Sequence, residues 1–214
     1  LLNKDLAVVL RLLAAAGYYL GDMPGNSVVQ LSKIPENGSL GEDQLGLAVT
    51  AALAKPWGNA DCEVTAPLAV AVLDALAEHF RTGGATERVT ATIARLREWA
   101  YSSASAHELL MADLLGAICA TRVAKSAWTL LPQFSELSSE SWAPFLKRSA
   151  SIKEMWPSQR MLGDAGLYRG KSGVVQMPTS TGKSRATELI VRSAFLASRT
   201  RLAIVIAPFR ALCQ

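Results

Sequence analysis

The pattern of apolar positions in the first 130 residues predicts a series of amphipathic helices. The first helix is predicted from about Lys4 to Leu20. Apolar or small residues recur there at helical spacing, at Leu6, Val9, Leu10, Leu13 and Gly17. Five more helices are predicted over residues 27–34, 42–54, 65–81, 87–100 and 106–125. Six helices joined by short turns are typical of a helical bundle or a stack of helical hairpins.

Capping residues locate two of the helix starts. Thr65 is predicted to cap the fourth helix, with Pro67 in its first turn, where the missing N–H of proline would have no partner in any case. Ser105 is predicted to cap the sixth helix, and Glu108 three residues later completes a capping-box pattern. Both signals place helix boundaries independently of the apolar spacing.

The helical pattern is interrupted after residue 130 by serines and prolines. We interpret residues 131–150 as a connector with one short helix over residues 141–148. The chain is therefore divided into a helical accessory domain over residues 1–130, this connector, and a further domain over residues 151–214.

A strand–helix–strand pattern follows in the last third of the chain. Short apolar runs predict strands over residues 173–177 and 202–207, with a helix from Lys183 to about Ala197 between them. One βαβ unit implies parallel strands. The sequence thus predicts a mixed fold, in which an all-α domain precedes the start of an α/β domain.

The loop between the first predicted strand and the helix carries a phosphate-binding pattern. Residues 177–184 match the P-loop pattern, except that Met177 stands where the first glycine would be. Gly182 would let the backbone approach a phosphate, and Lys183 would supply a positive charge. Ser184 would offer its hydroxyl to Mg²⁺. The alternative is a polar turn that caps a helix.

Three segments resemble motifs of superfamily 2 DEAD/DEAH-box helicases. Residues 177–184 resemble motif I of that family, in which methionine or alanine commonly replaces the first glycine. Residues 207–212 resemble motif Ia, although Phe209 replaces the usual threonine, and residues 156–159 resemble the upstream glutamine motif. The order of the three segments also agrees, since Gln159 lies 24 residues before Lys183.

The resemblance implies a role for each matching residue. Gln159 would bind the adenine edge, and Lys183 and Ser184 would be catalytic, with Ser184 also contacting Mg²⁺. The triphosphate would be held by Thr179, Ser180, Thr181, Gly182, Lys183 and Ser184. A nucleic-acid phosphate would be contacted by Pro208, Phe209 and Arg210. The alternatives are a helix-surface amide for Gln159 and a solvated charge for Arg210. Trp156 is expected to pack between domains in preference to stacking on adenine.

The same resemblance implies a RecA-like (P-loop) α/β fold for residues 151–214 and ATP hydrolysis by the full-length enzyme. Because the chain ends at Gln214 before any motif II, we expect this fragment to be inactive alone. The segments 128–132, 154–159 and 173–178 are similar to Ski-type bacterial helicases, some of which belong to anti-phage systems such as Hachiman. The expected cofactors are ATP and Mg²⁺, the expected ligand is DNA in preference to RNA, and a nuclease subunit is a candidate partner.

Charge is unevenly distributed along the chain, which carries a net +4 in total. Residues 151–214 hold ten basic and three acidic residues, whereas residues 1–150 hold 12 basic and 15 acidic ones. The last third is therefore predicted to attract anions such as phosphate or nucleic acid. Three scattered cysteines show no zinc spacing, and no apolar run approaches the length of a membrane span. We expect a protein of a reducing, cytoplasmic compartment.

Two functions remain open at this point. The first is an ATP-dependent nucleic-acid helicase or translocase, of which this chain would be the N-terminal part. The alternative is a binding module, in which the helical region docks a partner of a defence complex and the P-loop senses a nucleotide. A different P-loop enzyme, such as a kinase, is disfavoured because it has no need for the segment around Arg210.

Overall fold

The computed structural model describes residues 4–34, 43–54, 64–178 and 181–206. These residues form ten α-helices and one short 3₁₀ helix at Leu167–Arg169. In chain order the α-helices are α1 (Lys4–Leu20), α2 (Pro24–Leu31), α3 (Gln44–Ala54), α4 (Pro67–Thr82), α5 (Thr86–Ser103), α6 (Ala106–Lys125), α7 (Ala127–Ser135), α8 (Ser139–Leu146), α9 (Pro157–Asp164) and α10 (Lys183–Leu196). They pack into two clusters, which we call the helical core (α1–α6) and the C-terminal core (α7–α10). None of the described helices combines the length and apolar character that crossing a bilayer requires.

The helical core confirms the six helices predicted from apolar spacing. Its largest fully buried side chains are Leu12, Phe80, Leu76, Leu96, Met111, Leu115 and Ile118. The capping box of α6 is confirmed too, because the Ser105 N–H donates to the Glu108 carboxylate at 2.8 Å and the Glu108 N–H donates to Ser105 Oγ. Thr65 does not cap α4, since that helix begins after Ala66 with Pro67 in its first turn.

Helix α1 only partly buries the apolar face that marked it in the sequence. Val8, Leu12 and Tyr19 lie in the helical core, whereas Leu6 and Leu10 are 50% and 48% exposed. Positions two residues apart lie on nearly opposite sides of an α-helix, because each residue adds about 100° of rotation. α1 therefore has two apolar faces, one of which the described part of the chain leaves uncovered.

The C-terminal core is built around Trp142 and Tyr168, both of which are fully buried. The Trp142 indole N–H donates to Ser135 Oγ at 2.9 Å, and the Tyr168 hydroxyl donates to the backbone carbonyl of Gln159 at 3.0 Å. Each ring thus has its polar atom satisfied inside the core. The region interpreted as a connector holds most of α7 and all of α8, rather than a single short helix over residues 141–148.

The prediction of a RecA-like α/β domain is wrong. Within the described residues, neither 173–177 nor 202–206 forms a strand, and the β contact that is recorded is an isolated bridge between Ser126 and Glu154. Val174 and Ile204 are 103% and 78% exposed. Apolar β-branched residues favour an extended backbone, but a sheet also requires neighbouring strands, and these segments have none. The helix between them is confirmed as α10.

Buried polar contacts join the two cores. Arg122 of α6 donates to the backbone carbonyls of Ala52 and Leu53, both at 2.6 Å, and pairs with the Glu154 carboxylate at 2.6 Å. The Tyr19 hydroxyl donates to the same carboxylate at 2.5 Å. Burial raises the pKa of Tyr19 above its usual value, so the hydroxyl keeps its proton and remains a donor. These contacts tie Glu154, which lies just before α9, to the helical core.

Candidate functional site

The loop before α10 turns at Gly182, which has a left-handed backbone conformation with φ of +86°. This φ favours glycine, since other residues are strained there. An ideal Cβ at this position would also lie only 2.8 Å from Nε2 of Gln159. Gly182 therefore permits both the turn and the close contact between the loop and α9.

The first turn of α10 presents several hydrogen-bond donors. Lys183 and Ser184 are exposed, and within the described residues no acceptor is recorded for the backbone N–H groups of residues 183–185. The Lys183 ammonium lies near the loop and donates to the Met177 carbonyl at 3.0 Å. Free N–H groups and the positive end of a helix attract anions. This arrangement is chemically suited to a phosphate group.

Two side-chain hydrogen bonds hold the loop in place. The Ser158 hydroxyl donates to the Thr181 carbonyl at 2.9 Å, and the Thr181 hydroxyl donates to the Pro178 carbonyl at 2.7 Å. Ser158 was absent from the predicted site, although its position beside Gln159 was a usable signal. The loop is thus anchored to the first turn of α9.

Gln159 is buried beneath the loop, with 3% of its surface exposed. Its side-chain carbonyl accepts the Trp156 N–H at 2.9 Å, which closes the first turn of α9, while Nε2 faces Gly182. The alternative of a helix-surface amide is therefore wrong, and a role in binding adenine stays a prediction. Gln159 couples the start of α9 to the backbone of the loop.

Trp156 lies at the junction of the two cores. It lines a groove of about 330 Å³ together with Val28 of the helical core and Ile152. The residue is still 43% exposed, so a packing role between domains stays a prediction.

The structure brings part of the predicted site together. The predicted residues that lie in or against the loop are Gln159, Thr181, Gly182, Lys183 and Ser184. Other members of the prediction lie outside the described residues, namely Thr179, Ser180, Pro208, Phe209 and Arg210.

The side chains present fit a nucleotide phosphate better than an independently bound metal. The Lys183 ammonium and the N–H groups that begin α10 are phosphate ligands. Ser184 would give one oxygen to Mg²⁺, whose other ligands would be phosphate oxygens and water. Within the described part of the chain, no group of three acidic, histidine or cysteine side chains could hold a metal ion. A metal at this site would therefore arrive with the nucleotide.

Comparison with known proteins gives one partial match. The chain is 31% identical over 92 residues to the Hachiman protein HamB of Bacillus cereus. The match covers 42% of this chain and 8% of that protein. No family model matches the chain, and no solved structure matches it.

The predicted membership of the superfamily 2 helicases is wrong at the level of the fold. The resemblance required a RecA-like parallel sheet around the phosphate loop, and the described residues form helices and no strand. The motif-like segments are therefore sequence similarities without the expected sheet. What the comparison supports is a distant and partial similarity to HamB.

Proposed function

We propose that this chain is a helical partner-binding module of an anti-phage defence complex, with a nucleotide-sensing loop before α10. The partial similarity to the Hachiman protein HamB supports the defence role. The uncovered apolar face of α1 supports partner binding, and it is the observation on which the proposal rests.

Several of the exposed apolar residues lie on the α1–α2 hairpin. Leu6 and Leu10 on α1 and Val28 and Val29 on α2 are each about half exposed. The two helices pack against each other, with Arg11 donating to the Lys33 carbonyl beyond the end of α2. Single exposed apolar residues are ordinary, but several on one hairpin form the kind of patch that marks a protein interface.

A helix with two apolar faces needs a second covering surface. Polar residues normally occupy the solvent side of a surface helix, and a helix that is apolar all round is normally buried. Leu6 and Leu10 lie opposite Val8 and Leu12 on α1, so the helical core cannot cover both pairs. The proposed cover is a partner protein of the same defence complex, a nuclease subunit.

The partner proposal is tested by co-expression with a candidate nuclease subunit of a Hachiman-type defence complex. The variant carries Leu6→Lys and Leu10→Lys, and the matched control is Leu110→Lys, because Leu110 is 45% exposed on α6. We expect the wild-type chain and the control to retain the nuclease on an affinity column, and the α1 variant to lose it. Equal retention by all three proteins would contradict docking through α1.

The loop before α10 is the proposed nucleotide sensor. The support for it is the donor set at one short turn. Lys183 and Ser184 are exposed there, and among the described residues no acceptor is recorded for the backbone N–H groups of residues 183–185. ATP would bind through its phosphates, with Mg²⁺ held between them and Ser184. Sensing needs binding alone, and hydrolysis of ATP by this protein stays a prediction.

Nucleotide sensing is tested by calorimetric titration of ATP with Mg²⁺. We expect Lys183→Ala to weaken binding by about tenfold or more, because an ammonium–phosphate contact is a charge-assisted one. Lys171→Ala, which removes an exposed lysine away from the loop, should leave the affinity unchanged. Inorganic triphosphate should compete with ATP, and adenosine should not. Equal ATP affinities for wild type and Lys183→Ala would rule the sensor out.

A further inference from the structure

A second basic site lies away from the loop, in a groove of about 440 Å³ between the two cores. The end of α4 and the start of α5 form one wall, and the segment that follows α8 forms the other. The charged side chains that line the groove are Asp74, Glu78, Arg81, Arg88, Lys147 and Lys153. No residue of the Lys183 loop is among those that line it.

The cations in this groove outnumber the carboxylates that could neutralise them. Glu78 is already paired with Arg88 at 2.5 Å. Among the described residues, no ion pair is recorded for Arg81, Lys147 or Lys153, which leaves three cations facing the single unpaired carboxylate of Asp74. A concave surface with an excess of one charge concentrates ligands of the opposite charge.

One of the three cations is fixed, and two are free to reach a ligand. The Lys153 ammonium donates to the carbonyls of Leu146 and Arg148, at 3.0 and 3.1 Å, where α8 ends. Arg81 and Lys147 are exposed on opposite walls of the groove. The positive charge is therefore spread along the groove instead of converging on one enclosed point.

We propose that this groove binds the phosphodiester backbone of a nucleic acid. Arg81 and Lys147 would each pair with a phosphate of the strand, and the hydroxyl of Ser149, an exposed residue that also lines the groove, would donate a further hydrogen bond. A linear polyanion fits cations on two walls better than a single small phosphate does. Such contacts hold the backbone and do not distinguish one base sequence from another.

The proposal is tested by fluorescence anisotropy of a labelled oligodeoxynucleotide over a range of salt concentrations. The plot of log affinity against log salt should lose about one unit of slope for each cation removed. We therefore expect Arg81→Ala combined with Lys147→Ala to reduce the slope by about two and to weaken binding by about tenfold at moderate salt. Asp74→Asn should act in the opposite direction and tighten binding, because it removes the opposing charge.

The matched control is Arg95→Ala, which removes an exposed arginine of α5 for which the described residues record no ion pair and which does not line the groove. It should leave both affinity and slope unchanged. Lys183→Ala should also leave them unchanged, so a failure of the nucleotide proposal can be distinguished from a failure of the groove proposal. Equal slopes for wild type and the double variant would overturn the proposal. Displacement of the oligonucleotide by inorganic phosphate or polyglutamate at equal charge concentration would also overturn it.

Discussion

The helical core and the segment after α10 contain similar apolar residues, but the helical core buries them and the segment leaves them exposed. In the helical core, Leu76, Leu115 and Ile118 are fully buried. After α10, Leu202, Ile204, Val205 and Ile206 are 67–90% exposed. A helix satisfies its backbone hydrogen bonds by itself, so its apolar face needs only another surface, whereas a strand also needs partners for its backbone. Apolar character therefore predicts burial more reliably for helices than for strands.

The strongest test of this comparison concerns Trp142, which is fully buried in the C-terminal core. We expect Trp142→Ala to lower the free energy of unfolding by about 3–5 kcal/mol, because it leaves a large cavity and removes the indole N–H that donates to Ser135 Oγ. Urea unfolding followed by circular dichroism should show one transition shifted to lower urea. Leu115→Ala, the comparison in the helical core, should shift the same transition by about 2–5 kcal/mol.

A result that breaks the comparison is equally clear. If Trp142→Ala gives an early transition of partial amplitude and leaves the rest of the unfolding curve in place, the two cores unfold separately. The helical core would then stay folded by itself while the C-terminal core unfolds.

Arg122 is predicted to make the two cores unfold together in a single transition. Arg122→Met leaves Glu154 without its ion pair and two carbonyls without their donor, in a place where the arginine side chain is 6% exposed. Removing one partner of a buried pair is expected to cost about 3 kcal/mol. We expect the single urea transition to broaden or split, as judged by combining circular dichroism with tryptophan fluorescence.

The control for this substitution is Arg97→Met, which breaks an ion pair with Asp113 between largely exposed side chains. Such pairs contribute under about 1 kcal/mol, so the transition should stay single and almost unshifted. Equal effects of the two substitutions would show that Arg122 does not couple the cores.

His79 should make the junction sensitive to acid. The ring is buried, its Nδ1–H donates to the Gly84 carbonyl at 3.0 Å, and Nε2 lies 2.9 Å from the Ser126 hydroxyl, which can donate to the neutral ring. Burial lowers the pKa of His79 below its usual value. Because the unfolded chain then binds the proton more readily, stability is full above about pH 6.5 and falls as pH drops through and below that value.

The measurement is the urea midpoint from pH 8 to pH 5, compared with His79→Gln. Part of the wild-type loss below about pH 6.5 should be absent in the variant. Identical pH profiles for the two proteins would show that His79 does not contribute to the acid sensitivity.

The six helices of the helical core could be predicted from the sequence, but α7 and α9 were missed, and so was the surface that α1 buries. The spacing at Leu6 and Leu10 located α1 correctly, yet these residues lie on its exposed face, because the same helix also carries Val8 and Leu12. Periodicity shows that a helix has an apolar face, but it does not show which of two apolar faces is buried. That choice is made by the neighbouring helices.

The candidate site shows the same limit. Gly182, Lys183 and Ser184 were identifiable from their spacing and lie where a helix begins. Burial of Gln159 against Gly182, and the hydrogen bond from Ser158 to Thr181, depend on how α9 packs against the loop. The basic groove was not visible in the sequence, because Arg81 and Lys147 are 66 positions apart and meet only through packing of the two cores.

The smallest expected effect on stability compares two predicted N-caps, Ser105 of α6, which is confirmed, and Thr65 of α4, which is wrong. Ser105 caps α6, so Ser105→Ala should cost about 1 kcal/mol in urea unfolding. Thr65 lies before the N-cap residue of α4 and interacts instead with the Gln44 side chain at an exposed position, so Thr65→Ala should cost under about 0.5 kcal/mol. The sequence favoured both residues as caps, and the difference arises because Pro67 can start α4 without a side-chain cap. Equal losses for the two substitutions would mean that Thr65 contributes to the start of α4 as strongly as Ser105 does to that of α6.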